Sequence, residues 1–81
     1  MRLIVNISLK EGVLDPEGQA IKTSLLNLGF KNFNDVRTGK QIVLSFEKME
    51  ENEAILEAEK MCQNLLVNTV IEKYEINILK D

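Results

Sequence analysis

The chain has no histidine or tryptophan, and it has a single cysteine and a single proline among its 81 residues. Without histidine, Ser-His-Asp catalysis, Cys-His catalysis and histidine-ligated zinc are all unavailable within one chain. Cys62 cannot form an internal disulfide, which fits a reducing compartment. No stretch approaches the run of about 18 apolar residues that a membrane span needs, and the first residues alternate in polarity, unlike a signal peptide. We therefore expect a cytoplasmic protein with no membrane anchor and no metal site.

Length and charge indicate how many domains the chain forms and which classes of partner it can bind. The 81 residues make one small domain, residues 1–81, which buries only about 60% of the surface of its unfolded chain. Its stability alone is then marginal, which favours a homo-oligomer, either a dimer or a tetramer. The net charge of −3 argues against nucleic acid or an anionic membrane as the main partner.

Apolar periodicity predicts the elements of secondary structure. Apolar residues recur at every second position from residue 3 to 9, and the segment 70–79 contains Tyr74, Ile76 and Ile78 at the same period, which predicts two strands. A helical stripe runs from 16 to 28, and another, with an acidic start, runs from 50 to 66. The segment 34–47 is strand-like but is interrupted by a Thr-Gly pair. It forms either a tight hairpin between two short strands or one long strand bent by a glycine bulge.

This order of elements predicts an α+β fold. We expect a two-layer, ferredoxin-like sandwich with an antiparallel sheet and both helices on one face. The first helix is expected to end at Gly29 in a Schellman motif, with Phe30 folding back onto Leu25. The second helix is expected to bury one continuous apolar face, made by Ala54, Ile55, Ala58, Met61, Cys62, Leu65 and Leu66.

Two short segments carry the candidate site residues. Asp15 is placed to cap the first helix, and Gly18 lies in the first turn, where glycine costs up to about 1 kcal/mol relative to alanine. We therefore expect an apposed backbone or a partner surface at Gly18. Arg37 and Lys40 flank the flexible Gly39, which indicates either a solvated bend or a docking site for an acidic partner or an anionic ligand. Replacing either cation is expected to leave folding nearly unchanged, whereas a positive φ at Gly39 would exclude a β-branched side chain.

Four short motifs occur in order along the chain. They are Lys-x-Gly-Val-Leu-Asp-Pro-x-Gly at 10–18, Leu-Gly-Phe at 28–30, Val-Arg-x-Gly-Lys at 36–40 and Leu-Leu-x-Asn-x-Val-Ile-Glu-x-Tyr at 65–74. Together they resemble the PurS family, the small subunit of bacterial and archaeal phosphoribosylformylglycinamidine synthase, over nearly the whole chain. Thr69 departs from the family pattern, which usually has proline there, and this change loosens the turn.

The resemblance implies a noncatalytic subunit of an enzyme of de novo purine synthesis. In that family the subunit bridges the glutaminase PurQ, which releases ammonia, and the ATP-dependent synthetase PurL, and it assists ammonia transfer between them. The chain itself is expected to bind no cofactor, whereas the assembled complex uses ATP and magnesium. No catalytic residue is assigned, and the expected partner-binding residues are Asp15, Gly18, Arg37, Gly39, Lys40, Glu72 and Tyr74.

A second hypothesis is a regulatory ligand-binding module of the ACT type, which shares the same order of elements. Such a module places a glycine-rich ligand loop between its first strand and first helix, and residues 12–18 would be that loop. Acylphosphatase-like catalysis is disfavoured because the segment 10–18 offers no arginine for a phosphate cradle. RNA binding on this topology is disfavoured because the first strand has no aromatic residue.

Overall fold

The computed structural model describes residues 1–79 and contains one three-stranded sheet and two α-helices. A short π-helix continues the second α-helix and carries the chain towards the last strand. In chain order the elements are β1 (Arg2–Leu9), α1 (Pro16–Asn27), β2 (Gly39–Ser45), α2 (Glu51–Met61), the π-helix (Cys62–Leu66) and β3 (Glu72–Leu79).

The sheet has the strand order β2-β1-β3, and both pairs of neighbouring strands are antiparallel. At the centre of the sheet Val5 of β1 lies opposite Ile42 on one side and Ile76 on the other. Leu3, Val5 and Ile7 are all buried on the same face of β1, as their period-two spacing predicts. The predicted α+β, ferredoxin-like class with an antiparallel sheet and two helices is confirmed, but among the described residues only the second helix packs its side chains into the core on the sheet.

Helix α2 covers that apolar face of the sheet. Ala54, Ala58 and Cys62 recur at every fourth position and are fully buried. Because these side chains are small, the helix backbone lies close to the strands, and Leu3 packs directly against both alanines. The thiol of Cys62 packs with Val5 in the neighbouring part of the core.

The π-helix changes which side chains reach the core at the end of α2. The N–H of Val67 donates to the carbonyl of Cys62 at 3.1 Å, a bond that spans five residues instead of four. The wider turn brings Val67 into the core and leaves the side chain of Leu65 outside, with 83% of its surface exposed. The predicted placement of Leu65 on the core face is therefore wrong, and Met61 is also exposed.

Helix α1 has the predicted ends. Asp15 is its N-cap and Pro16 its first residue. At the other end Gly29 adopts a positive φ of 98°, and the N–H of Phe30 donates to the carbonyl of Leu25 at 3.0 Å. These features, with the N–H of Gly29 bonded to the carbonyl of Leu26, form the predicted Schellman motif.

Helix α1 adds little to the core of its own chain. Within the described residues, none of its side chains belongs to either buried cluster, and its apolar side chains Ile21 and Leu26 are exposed. The molecule is consequently long, with a greatest extent of 50 Å and a radius of gyration of 16.2 Å. A compact chain of this length would have a radius of gyration of about 12 Å.

The segment before β2 forms neither of the two predicted arrangements. Strand pairing begins only at Gly39, opposite Ser8 of β1, and residues 34–38 approach it without strand structure. Gly39 does not have a positive φ; among the described residues that conformation occurs at Gly12, Gly29 and Lys48. The hairpin and the glycine bulge are both wrong, because the segment 34–38 bonds to α1 and the loop before it.

Candidate functional site

The loop before α1 and the segment before β2 are joined by a buried carboxylate. Asp15 is only 3% exposed. Its Oδ1 accepts a hydrogen bond from the Gly18 N–H at 2.9 Å, and its Oδ2 accepts one from the Thr38 N–H at 2.6 Å. The Thr38 hydroxyl also donates to this carboxylate. The bonds from the backbone of Thr38 and then of Gly18 hold the pKa of Asp15 below its ordinary value.

Gly18 lies directly against the backbone of the second segment. A Cβ atom at this position would lie 2.5 Å from the carbonyl oxygen of Val36 and 2.7 Å from Oδ2 of Asp15. The expected apposed backbone is therefore confirmed. We call Asp15, Gly18, Val36, Arg37 and Thr38 the clasp, because they fix the start of α1 to the segment that precedes β2.

Arg37 belongs to the clasp through its guanidinium. Its Nη1 donates to the carbonyl of Val13 at 2.8 Å, and its Nη2 donates to the carbonyl of Lys10 at 3.3 Å. The side chain thus holds the loop that leads from β1 to the cap of α1. A role for Arg37 in partner binding stays a prediction, and the structure adds an internal role that the sequence pattern did not indicate.

Lys40 of β2 and Glu72 of β3 line a shallow groove at the end of the sheet, on the two strands that flank β1. Their charged groups are 3.9 Å apart, and the groove has a volume of about 270 Å³. Glu72 is also held from behind, since its Oε1 accepts a hydrogen bond from the Asn68 N–H at 2.8 Å. Gly39 forms part of the wall, and a Cβ there would lie 2.7 Å from the carbonyl oxygen of Ile7.

Tyr74 lies on the same face of β3 as Glu72, and its hydroxyl bonds to α2 and the π-helix, which cover that face. Its hydroxyl donates to Glu59 and accepts a hydrogen bond from Gln63 at 3.0 Å. The bond to Glu59 raises the pKa of Tyr74, because the carboxylate favours the protonated phenol. Of the seven predicted site residues, Asp15, Gly18 and Arg37 therefore share the clasp, while Gly39, Lys40 and Glu72 share the groove and Tyr74 belongs to neither.

Two contacts that hold the site together were not predicted from the sequence. Thr38 completes the Asp15 contacts from a position 23 residues away. Lys10 donates through Nζ to the carbonyl of Thr69 at 2.6 Å, which fastens the turn before β3 to the end of β1. Both contacts join residues far apart in the chain, so local spacing could not reveal them.

The chemistry available at the site is charge and hydrogen bonding. Burial raises the pKa of the Cys62 thiol, so this cysteine is a poor nucleophile. Within residues 1–79 no three metal-ligating side chains come together, and no helix there is long and apolar enough to span a membrane. The clasp and the groove are thus suited to shaping and docking a surface.

The family model described as PurS, phosphoribosylformylglycinamidine (FGAM) synthase, matches residues 2–80. This chain belongs to the PurS family. It is 46% identical over 76 residues to the PurS subunit of Methanocaldococcus jannaschii, covering 94% of this chain and 92% of that relative. It is 43% identical over 74 residues to the PurS subunit of Bacillus subtilis, covering 91% of this chain and 87% of the relative.

Solved structures of the family share the same fold. The crystal structure of M. jannaschii PurS superposes with a TM-score of 0.88 at 44% identity, covering 99% of this chain and 96% of that one. A chain of the PurLQS structure from Thermotoga maritima superposes with a TM-score of 0.88 at 31% identity, covering 96% of this chain and 95% of that one. The fold of this chain, including α1, therefore matches that of PurS over nearly its full length.

Proposed function

We propose that this chain is the small, noncatalytic subunit of phosphoribosylformylglycinamidine synthase in de novo purine synthesis. The observation that carries the proposal is the full-length match to PurS subunits, one of them taken from a PurLQS assembly. In this role the chain bridges PurQ and PurL in the cytoplasm and assists ammonia transfer. ATP and magnesium are used by the assembled complex, and this chain binds neither alone.

The shape of the chain supports a bridging role. One uncovered surface is the stripe of α1, and another is the sheet face turned away from α2. On that face Ile4 lies opposite the exposed Val43, and the Gln41 amide donates to Asn6 at 3.0 Å. A subunit that contacts more than one protein needs such separate surfaces.

The surface area supports self-association as part of this function. The chain exposes 6085 Å², whereas a compact protein of its mass exposes about 4,900 Å². The surplus of about 1,200 Å² exceeds the roughly 800 Å² that each partner buries in an interface of standard size. A homodimer, or a tetramer built from two dimers, covers this surplus.

Reconstitution with purified PurQ and PurL tests the proposed function. We expect the chain alone neither to hydrolyse glutamine nor to turn over ATP, and we expect it to restore glutamine-dependent synthesis when added to the other two subunits. Ammonia-dependent synthesis by PurL is the control, because free ammonia bypasses the transfer step. If glutamine-dependent synthesis is equally fast without the chain, the proposal is refuted.

A further inference from the structure

The shallow groove at the end of the sheet has an apolar floor and a charged rim. We call it the sheet-end groove; the charged residues that line it are Glu17, Lys40 and Glu72. Its floor is the end of β1, where Ile7 is 2% exposed and Leu9 is half-buried. An apolar concave site with a few converging polar groups is the usual form of a small-molecule site.

The register of the sheet shows on which face the groove lies. Lys40 is opposite Ile7 of β1, and Glu72 is opposite Leu9. Directly opposite residues of antiparallel strands point to the same face, so both charged side chains lie on the face that buries Ile7. Their charged groups, 3.9 Å apart, therefore meet above β1, which is the central strand.

A ligand can open the contact between these two charges. The separation of 3.9 Å is long for an ion pair and the Lys40 side chain is 57% exposed, so the pair contributes little to stability. Glu72 differs, because its side chain is only 17% exposed and its Oε1 accepts a hydrogen bond from the Asn68 N–H. The carboxylate of Glu72 is thus held in place, whereas the lysine can move aside.

The signs of the charges select the class of ligand. A simple anion would be repelled by Glu17 and Glu72, and a simple cation would be repelled by Lys40. An α-amino acid satisfies both signs, with its carboxylate on Lys40 and its ammonium group on Glu72. Glu17 then faces the side chain of the ligand, where it accepts a hydrogen bond from a donor and repels a carboxylate. The groove volume of about 270 Å³ suits a molecule of this size and is small for a nucleotide.

We infer that the sheet-end groove binds a free α-amino acid whose side chain ends in a hydrogen-bond donor. Lys40 holds the α-carboxylate, Glu72 holds the α-ammonium group, and Glu17 accepts a hydrogen bond from the end of the side chain. A ligand bound in this way joins β2, β3 and the first turn of α1 beside the clasp, since Thr38 also lines the groove. The inference goes beyond the proposed function, which assigns no small-molecule ligand to this chain.

Glutamine and glutamate are the probes, because they have the same shape and differ only in the terminal group. We expect glutamine to bind with a dissociation constant on the order of 1 mM, because the groove is open and the ligand is small. Glutamate should bind at least about tenfold more weakly, because Glu17 repels its second carboxylate. N-acetylglutamine, which lacks the ammonium group, should also bind at least about tenfold more weakly than glutamine. The measurement is a titration of the isotope-labelled chain, followed by the NMR shifts of the backbone amides of residues 38–40 and 72.

Three substitutions that nearly preserve side-chain size each remove one charge from the groove. Lys40→Met and Glu72→Gln should each weaken glutamine binding at least about tenfold, because each removes a charge-assisted contact. Glu72→Gln keeps the oxygen that accepts the Asn68 N–H, so the turn before β3 should be preserved. Glu17→Gln removes the repulsion and should bring the affinity for glutamate to within about threefold of that for glutamine.

Lys73→Met and Glu75→Gln are the matched controls, because these positions alternate with Glu72 and lie on the opposite face of β3. Both should bind glutamine like the parent, and circular dichroism shows whether every variant is folded. The inference is refuted if glutamine at about 20 mM shifts none of the groove amides, or if glutamate binds the parent as tightly as glutamine. It is also refuted if Lys40→Met and Glu72→Gln bind glutamine no more weakly than the two controls.

The outcomes also separate this inference from the proposed function, since the titration needs neither PurQ nor PurL. A chain that restores glutamine-dependent synthesis but whose groove amides do not shift with glutamine refutes the amino-acid site and leaves the subunit assignment standing. A chain that binds glutamine in the groove as predicted but never restores synthesis supports the site and refutes the assigned function.

Discussion

Replacing Gly18 by alanine gives the clearest test of the clasp, because local propensity and the structure predict opposite signs. Gly18 lies in the first turn of α1, where alanine would stabilise a free helix by up to about 1 kcal/mol. In the structure, however, the new Cβ would lie 2.5 Å from the Val36 carbonyl oxygen and 2.9 Å from Cγ of Asp15. We therefore expect Gly18→Ala to destabilise the protein.

The magnitude follows from what has to move. The Val36 oxygen is backbone, so it must shift by nearly 1 Å to reach ordinary contact, and such overpacking costs about 1–3 kcal/mol. The Asp15 carboxylate must shift as well, which weakens a cap worth about 1 kcal/mol. After subtraction of the helix propensity gain, the net loss is about 1–3 kcal/mol. For a chain of this size that lowers Tm by roughly 5–20 °C.

Thermal unfolding followed by circular dichroism at neutral pH measures this loss. Gln19→Ala is the matched control, since its position is exposed on the same turn and should change Tm by no more than a few degrees. An unchanged or raised Tm for Gly18→Ala would show that Val36 yields freely and that the clasp is not a tight contact.

The remaining predictions concern the clasp and the groove. Because the pKa of Asp15 is lowered in the folded protein, its ionised carboxylate stabilises the fold fully above about pH 4, and this contribution is lost as the pH falls through the folded pKa. The free energy of unfolding of Asp15→Asn should therefore depend less on pH in this range, as measured by acid denaturation followed by the fluorescence of an added dye. The sequence alone predicted that Arg37→Ala leaves folding nearly unchanged; with the structure we expect it to cost about 1–2 kcal/mol in urea unfolding, because it removes two hydrogen bonds. Lys40→Ala should change stability by no more than about 0.5 kcal/mol and should lower glutamine-dependent turnover more than ammonia-dependent turnover. Gly39→Val should lower Tm and weaken assembly through collision with the Ile7 carbonyl, and an intact complex would contradict this.

The elements whose signals are local could be predicted from the sequence. The alternation in β1 and the cap and stop of α1 depend on residues within a few positions of each other, and the structure confirms them. The prediction of strand structure over residues 34–47 was only partly correct, because only residues 39–45 pair with β1. Its first part is held by Asp15 and Gly18, more than a dozen residues away, and no local pattern encodes that contact.

The end of α2 shows why periodicity alone misplaced a side chain. A regular helix of 3.6 residues per turn brings Leu65 onto the core face, since it follows Ala54, Ala58 and Met61 in the stripe. The π-helix adds one residue to the turn, so Val67 replaces Leu65 in the core. Hydrophobicity cannot distinguish the two outcomes when both positions are apolar.

The stripe of α1 raises a related problem, since a sequence cannot show whether an apolar face packs within a chain or between chains. Stability measured at several concentrations separates the two. If self-association covers Ile21 on this stripe, the Tm of the parent should rise with protein concentration, because dimer formation stabilises the folded state by mass action. Ile21→Lys, which places a charge on the stripe, should abolish that dependence, and its Tm should equal that of the dilute parent at every concentration. Gly18→Ala should lower Tm at every concentration, because the clasp belongs to the single chain and also sets the direction of α1. If Ile21→Lys unfolds well below the dilute parent at every concentration, Ile21 lies in the core of its own chain, and its exposed position is contradicted.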